Sequence, residues 1–282
     1  MKKYKNHIDF VITAFNRIDY IKLLEMSIEK YTDFQYKIII ACDVTNEEQI
    51  EFYKEVKYYF KDDNRIKVLK GNTEPIPSPM VSDFDVINRE HYKRKTKIDG
   101  RVLGYNSFYK SSGTEIAIKN GNGRYVCMLD TDIVFLNKWV DDILKILKEN
   151  LFVSAMWRSD INIARDQFLI YDRKKFDELD LIPNCDYKDT SGNLTLYAQE
   201  NNIPFYTCKN SSPFDNVGGD GSLRSEHLIK IVDDYSVNVG EQCYINDKPF
   251  FYHYSRGTYG RKDKSYETWK SEVLQYLNGI HK

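Results

Sequence analysis

Val126-Cys127-Met128-Leu129-Asp130-Thr131-Asp132-Ile133-Val134 is the stretch whose reading decides the architecture. A β-rich apolar run, predicted as a strand over 124–129, leads straight into two carboxylates one residue apart. In open α/β sheets, ligands bind in the crevice at the carboxyl ends of the strands. Two ionised carboxylates this close repel each other unless a cation joins them or one takes up a proton. Hard oxygen donors suit Mg2+ or Mn2+, and those ions suit a diphosphate. A solvated strand-end turn presents the same two residues, and the spacing alone does not separate the two readings.

The flanking pattern supplies context. Ile8 to Phe15 reads as a strand buried on both faces. Ile18, Ile21, Leu24 and Ile28 then recur at helical spacing. Residues 36–41 form a second apolar strand ending in Cys42-Asp43. Thr45-Asn46-Glu47-Glu48 has capping-box spacing and opens a helix to about Phe60, and 65–69 is a third strand. Strand alternating with helix predicts a parallel sheet with helices on both faces. Residues 71–100 break the rhythm with Pro75, Pro77 and Pro79, which predicts a functional or mobile loop. A helix over 105–119 precedes the acidic strand. Downstream we expect helices at 139–147, 194–200, 222–232 and 265–277, and strands at 151–157, 168–171, 203–208 and 250–253. There is no internal repeat.

Composition narrows the function classes. A chain of 282 residues suits one large domain. Hydrophobic residues at 41% and charged residues at 29% argue against long-range disorder. Basic residues number 41 and acidic ones 42, for a net charge of −1, so nothing here suits a protein that coats nucleic acid or an anionic membrane. Any phosphate chemistry must come from a local site. The 5 cysteines form no C-x-x-C pair, which disfavours zinc ribbons and disulfide scaffolds and fits a reducing compartment. No apolar run approaches the roughly 20 residues of a membrane span. The segment from Ile8 carries Asp9 and is short for a signal-peptide core. These features predict a cytoplasmic protein with no transmembrane segment. Aromatic residues at 14% fit either ring-lined clefts or a compositional bias.

The ordered set of motifs resembles the GT-A-fold glycosyltransferases, most of all their large family-2-like group. Phe10-Val11-Ile12-Thr13-Ala14-Phe15-Asn16-Arg17 resembles that group's first strand and nucleotide loop, with the usual Pro missing and Ala14-Phe15 near the common Thr-Tyr. Ile38 to Asp43 resembles its second strand, whose terminal Asp meets the base. Ile116 to Val126 resembles the helix, turn and strand that deliver its D-x-D, here Asp130-Thr131-Asp132. The resemblance covers roughly the first 135 residues. It implies a GT-A-like, Rossmann-related α/β domain: a mixed, mostly parallel sheet flanked by helices. Residues 1–135 would be the nucleotide-sugar-binding half and 136–282 the acceptor-binding half.

The same resemblance implies roles. Thr13, Phe15 and Arg17 would line the nucleoside pocket. Asp43 would accept from a base N–H, which favours uracil. Asp130 would face the ribose or the metal, and Asp132 would ligate the metal. Late in the chain, Phe250-Phe251-Tyr252-His253 is an apolar strand ending in a His, followed by a basic loop with Gly257 and Gly260. His253 would be a metal ligand through a neutral imidazole. Arg256, Arg261 and Lys262 would offset charge on the diphosphate as the loop closes. Asp189, ahead of Asp186, would be the base for the acceptor hydroxyl. Plainer readings remain open: a helix N-terminal acid in a Thr45-capped turn at Asp43, core packing at Phe15, a satisfied strand-end residue at His253, and a helix cap at Asp189.

The implied activity is that of a hexosyltransferase-type enzyme. With Mn2+ or Mg2+, it would move a sugar from a nucleotide-sugar donor, UDP-linked, to a glycan or other hydroxyl acceptor. A second class competes. Asp130 to Val134 also resembles the first motif of haloacid-dehalogenase-like phosphatases, in which Asp130 would be the nucleophile, and Val217 to Gly221 loosely resembles their late acidic turn. That motif lies on the first core strand, so strand order separates the two.

Overall fold

The computed structural model describes residues 3–73, 105–158, 162–183, 190–211, 241–254 and 264–279. The expected helix at 222–232, the Pro75–Pro79 stretch and the Val217–Gly221 turn lie outside them, as do Asp186, Asp189, Arg256, Arg261 and Lys262.

The chain opens β1 (Lys5–Ala14), α1 (Ile18–Tyr31), β2 (Tyr36–Cys42), α2 (Glu47–Tyr59), β3 (Ile66–Lys70). It continues α3 (Tyr105–Lys119), β4 (Gly123–Leu129), β5 (Ile133–Phe135), α4 (Val140–Glu149), β6 (Phe152–Ser154). Then come β7 (Trp157–Arg158), β8 (Ile163–Ala164), β9 (Phe168–Asp172), α5 (Arg173–Glu178), α6 (Gly192–Glu200), β10 (Tyr206–Thr207) and β11 (Lys209–Asn210). β12 (Glu241–Ile245), β13 (Lys248–His253) and α7 (Lys264–Leu277) complete it.

The large sheet has the order β10-β6-β9-β4-β1-β2-β3. β3, β2, β1 and β4 run parallel, and β9 inserts antiparallel between β4 and β6. This is the mixed, mostly parallel, helix-flanked sheet that the sequence predicts. Three strands of the same sheet precede Asp130, so the strand order a phosphatase requires is absent.

Burial explains the pattern. β1 alternates its side chains between two cores. Phe10 and Ile12 pack with α1, α2 and α4, while Val11 packs with α3, α5 and α6 on the other face. Both faces are covered, which is why the strand reads as one apolar run. Each such fully buried side chain contributes about 1.5–3 kcal/mol. α2 is capped one residue later than its sequence suggests. Asn46 accepts from the Gln49 backbone N–H at 2.9 Å, and Gln49 Oε1 accepts from the Thr45 N–H at 2.9 Å.

Two expected strands are shorter than their apolar runs. The apolar run 151–157 does not form one strand. It leaves the sheet at Ala155 and Met156, both fully buried, and re-forms as the β7–β8 hairpin. The run at 203–208 narrows to β10. Apolar runs report burial, and here irregular backbone satisfies that burial. The hairpin β12–β13 was not foreseen. Its two-residue loop, Asn246-Asp247, has φ of 50° and 60°, the paired left-handed geometry that favours Asn and Asp.

At the end of the sheet opposite Asp130, Asp9 is fully buried. It accepts from the Gly123 N–H and from Arg173 Nη2, each at 2.7 Å, and sits 2.9 Å from His7 Nε2. Arg173 also donates to the carbonyls of Gly123 and Ile118, each at 2.8 Å, so one guanidinium ties β1, β4 and the end of α3 together. A Cβ on Gly121 would lie 2.2 Å from Asp9 Oδ2, which explains the small residue in the turn before β4. No described helix is long and apolar enough to cross a membrane.

Candidate metal and nucleotide site

The carboxyl ends of β2, β1 and β4 are adjacent, because Ala14 pairs with Cys42 and Ile12 with Leu129. Asp43, the Phe15–Arg17 loop and Asp130 therefore leave the sheet at one edge. Immediately after Asp132, β5 pairs antiparallel with β13, with Ile133 opposite His253. The Tyr254 N–H donates to the Asp132 carbonyl at 2.9 Å. This register carries His253 across the sequence to the two aspartates. Its Nε2 lies 3.3 Å from Asp132 Oδ1 and 3.7 Å from Asp130 Oδ2. One donor atom from each of the three residues lies within 4.8 Å of the others. Asp132 and His253 are buried, 6% and 4% exposed.

Two carboxylates and an imidazole fit a divalent ion. Donors bound cis at the roughly 2.1 Å bond length of a small six-coordinate ion lie about 3 Å apart, close to the His253–Asp132 separation. These three residues would hold it.

Sequence reasoning missed two further members. Lys110 Nζ lies 2.5 Å from Asp130 Oδ1 and 2.8 Å from Asp166 Oδ2. Asp166 is 5% exposed. It arrives because β9 runs antiparallel to β4, so residues just before β9 face those just after β4, and the Asp130 N–H donates to the Gln167 carbonyl. Lys110 arrives because α3 approaches β1 closely. A Cβ on Gly113 would lie 2.9 Å from Thr13 Cγ2, so glycine permits the approach that places Lys110, one turn earlier, over the crevice. Burial alone would raise the Asp130 carboxyl. The Lys110 ammonium, with His253 and Arg165, outweighs burial and holds it below the usual carboxylate range. Burial would likewise lower the Lys110 ammonium, but its two carboxylates hold it up.

Asp43 is 8% exposed. Its Oδ1 accepts both the backbone N–H and the side-chain amide of Asn72, at 3.1 and 2.6 Å. Burial, partly offset by those bonds, pushes its carboxyl up to about 6. No described residue donates to Oδ2. Asn46, not Thr45, caps α2, whose first turn carries Glu47 and Glu48. Thr13 and Phe15 are half-buried. Arg17 takes φ 58° just before α1, and its guanidinium lies over the rings of Tyr20 and Tyr266 at 5.6 and 5.0 Å. Tyr20, Tyr254, Tyr266 and Trp269 pack together as a buried aromatic cluster that begins at Tyr254, the residue after His253, so at this place the high aromatic content builds core. Burial, opposed by Arg17 and reinforced by the charge of Asp132, pushes the Tyr20 phenol up. Tyr254, the first residue after β13, is packed into this cluster.

No family model and no curated protein matches the chain. Solved structures do. They include a mannosyltransferase from Pyrobaculum calidifontis in complex with GDP-Man and Mn2+, at 12% identity and a TM-score of 0.46, covering 72% of this chain and 55% of that one. S. aureus TarS 1-349 in complex with UDP matches at 13% identity and a TM-score of 0.44, covering 73% and 57%. The glycosyltransferase GlyE of Streptococcus pneumoniae TIGR4 matches at 14% identity and a TM-score of 0.43, covering 98% and 63%. The aligned regions span less than two thirds of each of these structures.

Proposed function

We propose that this protein is a metal-dependent glycosyltransferase that moves a hexosyl group from a UDP-linked donor to an acceptor hydroxyl. The carrying observation is the convergence of Asp130, Asp132 and His253 at the sheet edge where Asp43 and the Phe15–Arg17 loop also emerge. A phosphate-bearing ligand needs a charge anchor, and a nucleoside needs a polar reader beside an apolar surface. The edge supplies both.

Asp43 would read the base by accepting its N–H on Oδ2, while Asn72 holds the carboxylate in place through Oδ1. Thr13, Phe15 and Arg17 would line the nucleoside pocket. Asp130, Asp132 and His253 would hold Mn2+ or Mg2+. The imidazole favours Mn2+, because Mg2+ prefers oxygen donors. When bound, the ion supplies charge neutralisation at the departing diphosphate. The bond between the anomeric carbon and the diphosphate breaks, the acceptor oxygen bonds that carbon, and its proton passes to a base. We assign that base to Asp189, or else Asp186, and further diphosphate contacts to Arg256, Arg261 and Lys262, on the sequence resemblance. Residues 1–135 would bind the donor and 136–282 the acceptor.

A donor panel tests this reading, with free nucleotide released in the presence of acceptor mixtures, Mn2+ or chelator. Release of UDP that requires the ion is the expected result. Ion-independent release, or none from any nucleotide sugar alongside undetectable UDP binding, refutes it.

A further inference from the structure

Lys110 sits where a divalent cation would do the same electrostatic work. Its ammonium is 2.5 Å from Asp130 Oδ1, and Asp130 Oδ2 faces His253. The same ammonium is shared with Asp166, at 2.8 Å. Asp166 is not among the three residues whose donor atoms converge. Like charges close together in a partly buried site repel strongly, so an ammonium bonded to one metal ligand opposes the arrival of a metal.

We propose that Lys110 is a built-in counter-cation that weakens binding of a bare divalent ion to Asp130, Asp132 and His253, and that Asp166 is a positioning residue that draws Lys110 off Asp130. This rests on the metal-site reading above. In the resting protein Lys110 offsets the charge of Asp130 and Asp166, which lowers the repulsion among the carboxylates gathered here. When a cation arrives, Asp166 offers the ammonium a second carboxylate, so Lys110 need not be stranded. The device keeps the site from filling with a bare ion and leaves metal binding dependent on the extra negative charge that a diphosphate brings.

The test measures binding of Mn2+ alone, by the free-ion electron paramagnetic resonance signal, in four proteins: wild type, Lys110→Met, Asp166→Asn and the double variant. Thermal unfolding checks that each is folded. Lys110→Met should bind Mn2+ about tenfold more tightly or better, the scale of a close buried charge contact. Asp166→Asn should weaken Mn2+ several-fold, because Lys110 then rests on Asp130 alone. In the Lys110→Met background, Asp166→Asn should change nothing. Unchanged or weaker affinity in Lys110→Met overturns the proposal. An equal loss from Asp166→Asn in both backgrounds shows that Asp166 acts by its own charge and overturns its positioning role. If one of the two variants does not fold, the sign of the other still decides. Asp132→Ala separates the two levels of inference: Mn2+ binding indifferent to it refutes the metal site itself, whereas binding that needs Asp132 but ignores Lys110 refutes this proposal alone.

Discussion

If Asp43 reads a base N–H, nucleotide affinity must depend on pH in a way that a diphosphate's does not. The carboxylate accepts only when ionised, and its carboxyl is pushed up to about 6 by burial. A one-proton titration at that position leaves about nine carboxyls in ten ionised at pH 7 and about one in ten at pH 5. The ratio of UDP to pyrophosphate affinity should therefore fall about tenfold between those pH values, or ~1.4 kcal/mol. Taking the ratio cancels titration of the metal ligands, and the Asn variant supplies the baseline for titration of the phosphates. Asp43→Asn should lower UDP affinity about ten- to a hundredfold, because its amide meets the base N–H with a donor or a weaker acceptor. It should also flatten the ratio. Stability moves with opposite sign to the usual acid. The folded protein holds this proton more tightly than the unfolded chain does, so stability falls as pH rises from about 4 to about 6. A shift of about two pKa units corresponds to about 3 kcal/mol. Asp43→Asn should remove that slope in urea titrations. Calorimetry with UDP and pyrophosphate from pH 5 to 8 decides the matter. A ratio that is flat in the wild type, or that titrates equally in the Asn variant, refutes the base-reading role.

Other expectations follow from the same geometry. Asp132→Ala and His253→Ala should each abolish Mn2+-dependent UDP binding in calorimetry while circular dichroism stays native; unchanged affinity would remove that residue from the ligand set. Arg173→Met removes the guanidinium from the fully buried Asp9, leaving it the Gly123 N–H and His7, and should cost about 3–5 kcal/mol in urea unfolding. A cost under about 1 kcal/mol would mean that the network contributes no more than a surface pair. Gly121→Ala should also destabilise, since its Cβ would fall 2.2 Å from Asp9 Oδ2, and combining it with Asp9→Ala should recover part of the loss.

Much of this architecture can be read from local pattern. β1, β2 and β4 are apolar runs that end in polar residues, α1 shows its helical period, and Asp130-Thr131-Asp132 sits where a strand must stop. These features are legible because backbone period and turn chemistry act over a few residues. The sheet order, the β9 insertion and the splitting of 151–157 were not legible, because an apolar run states that side chains are buried without stating against what. Of the site, the sequence named Asp130, Asp132 and His253 separately and left each with a plainer reading. Only the pairing of β5 with β13 brings His253 to 3.3 Å from Asp132. Lys110 and Asp166 carry no motif at all. Their meeting at Asp130 depends on a helix drawn close by Gly113 and on a strand that runs backwards beside β4. Contact between residues so far apart in the chain is a property of how elements pack, and no local rule of spacing records it.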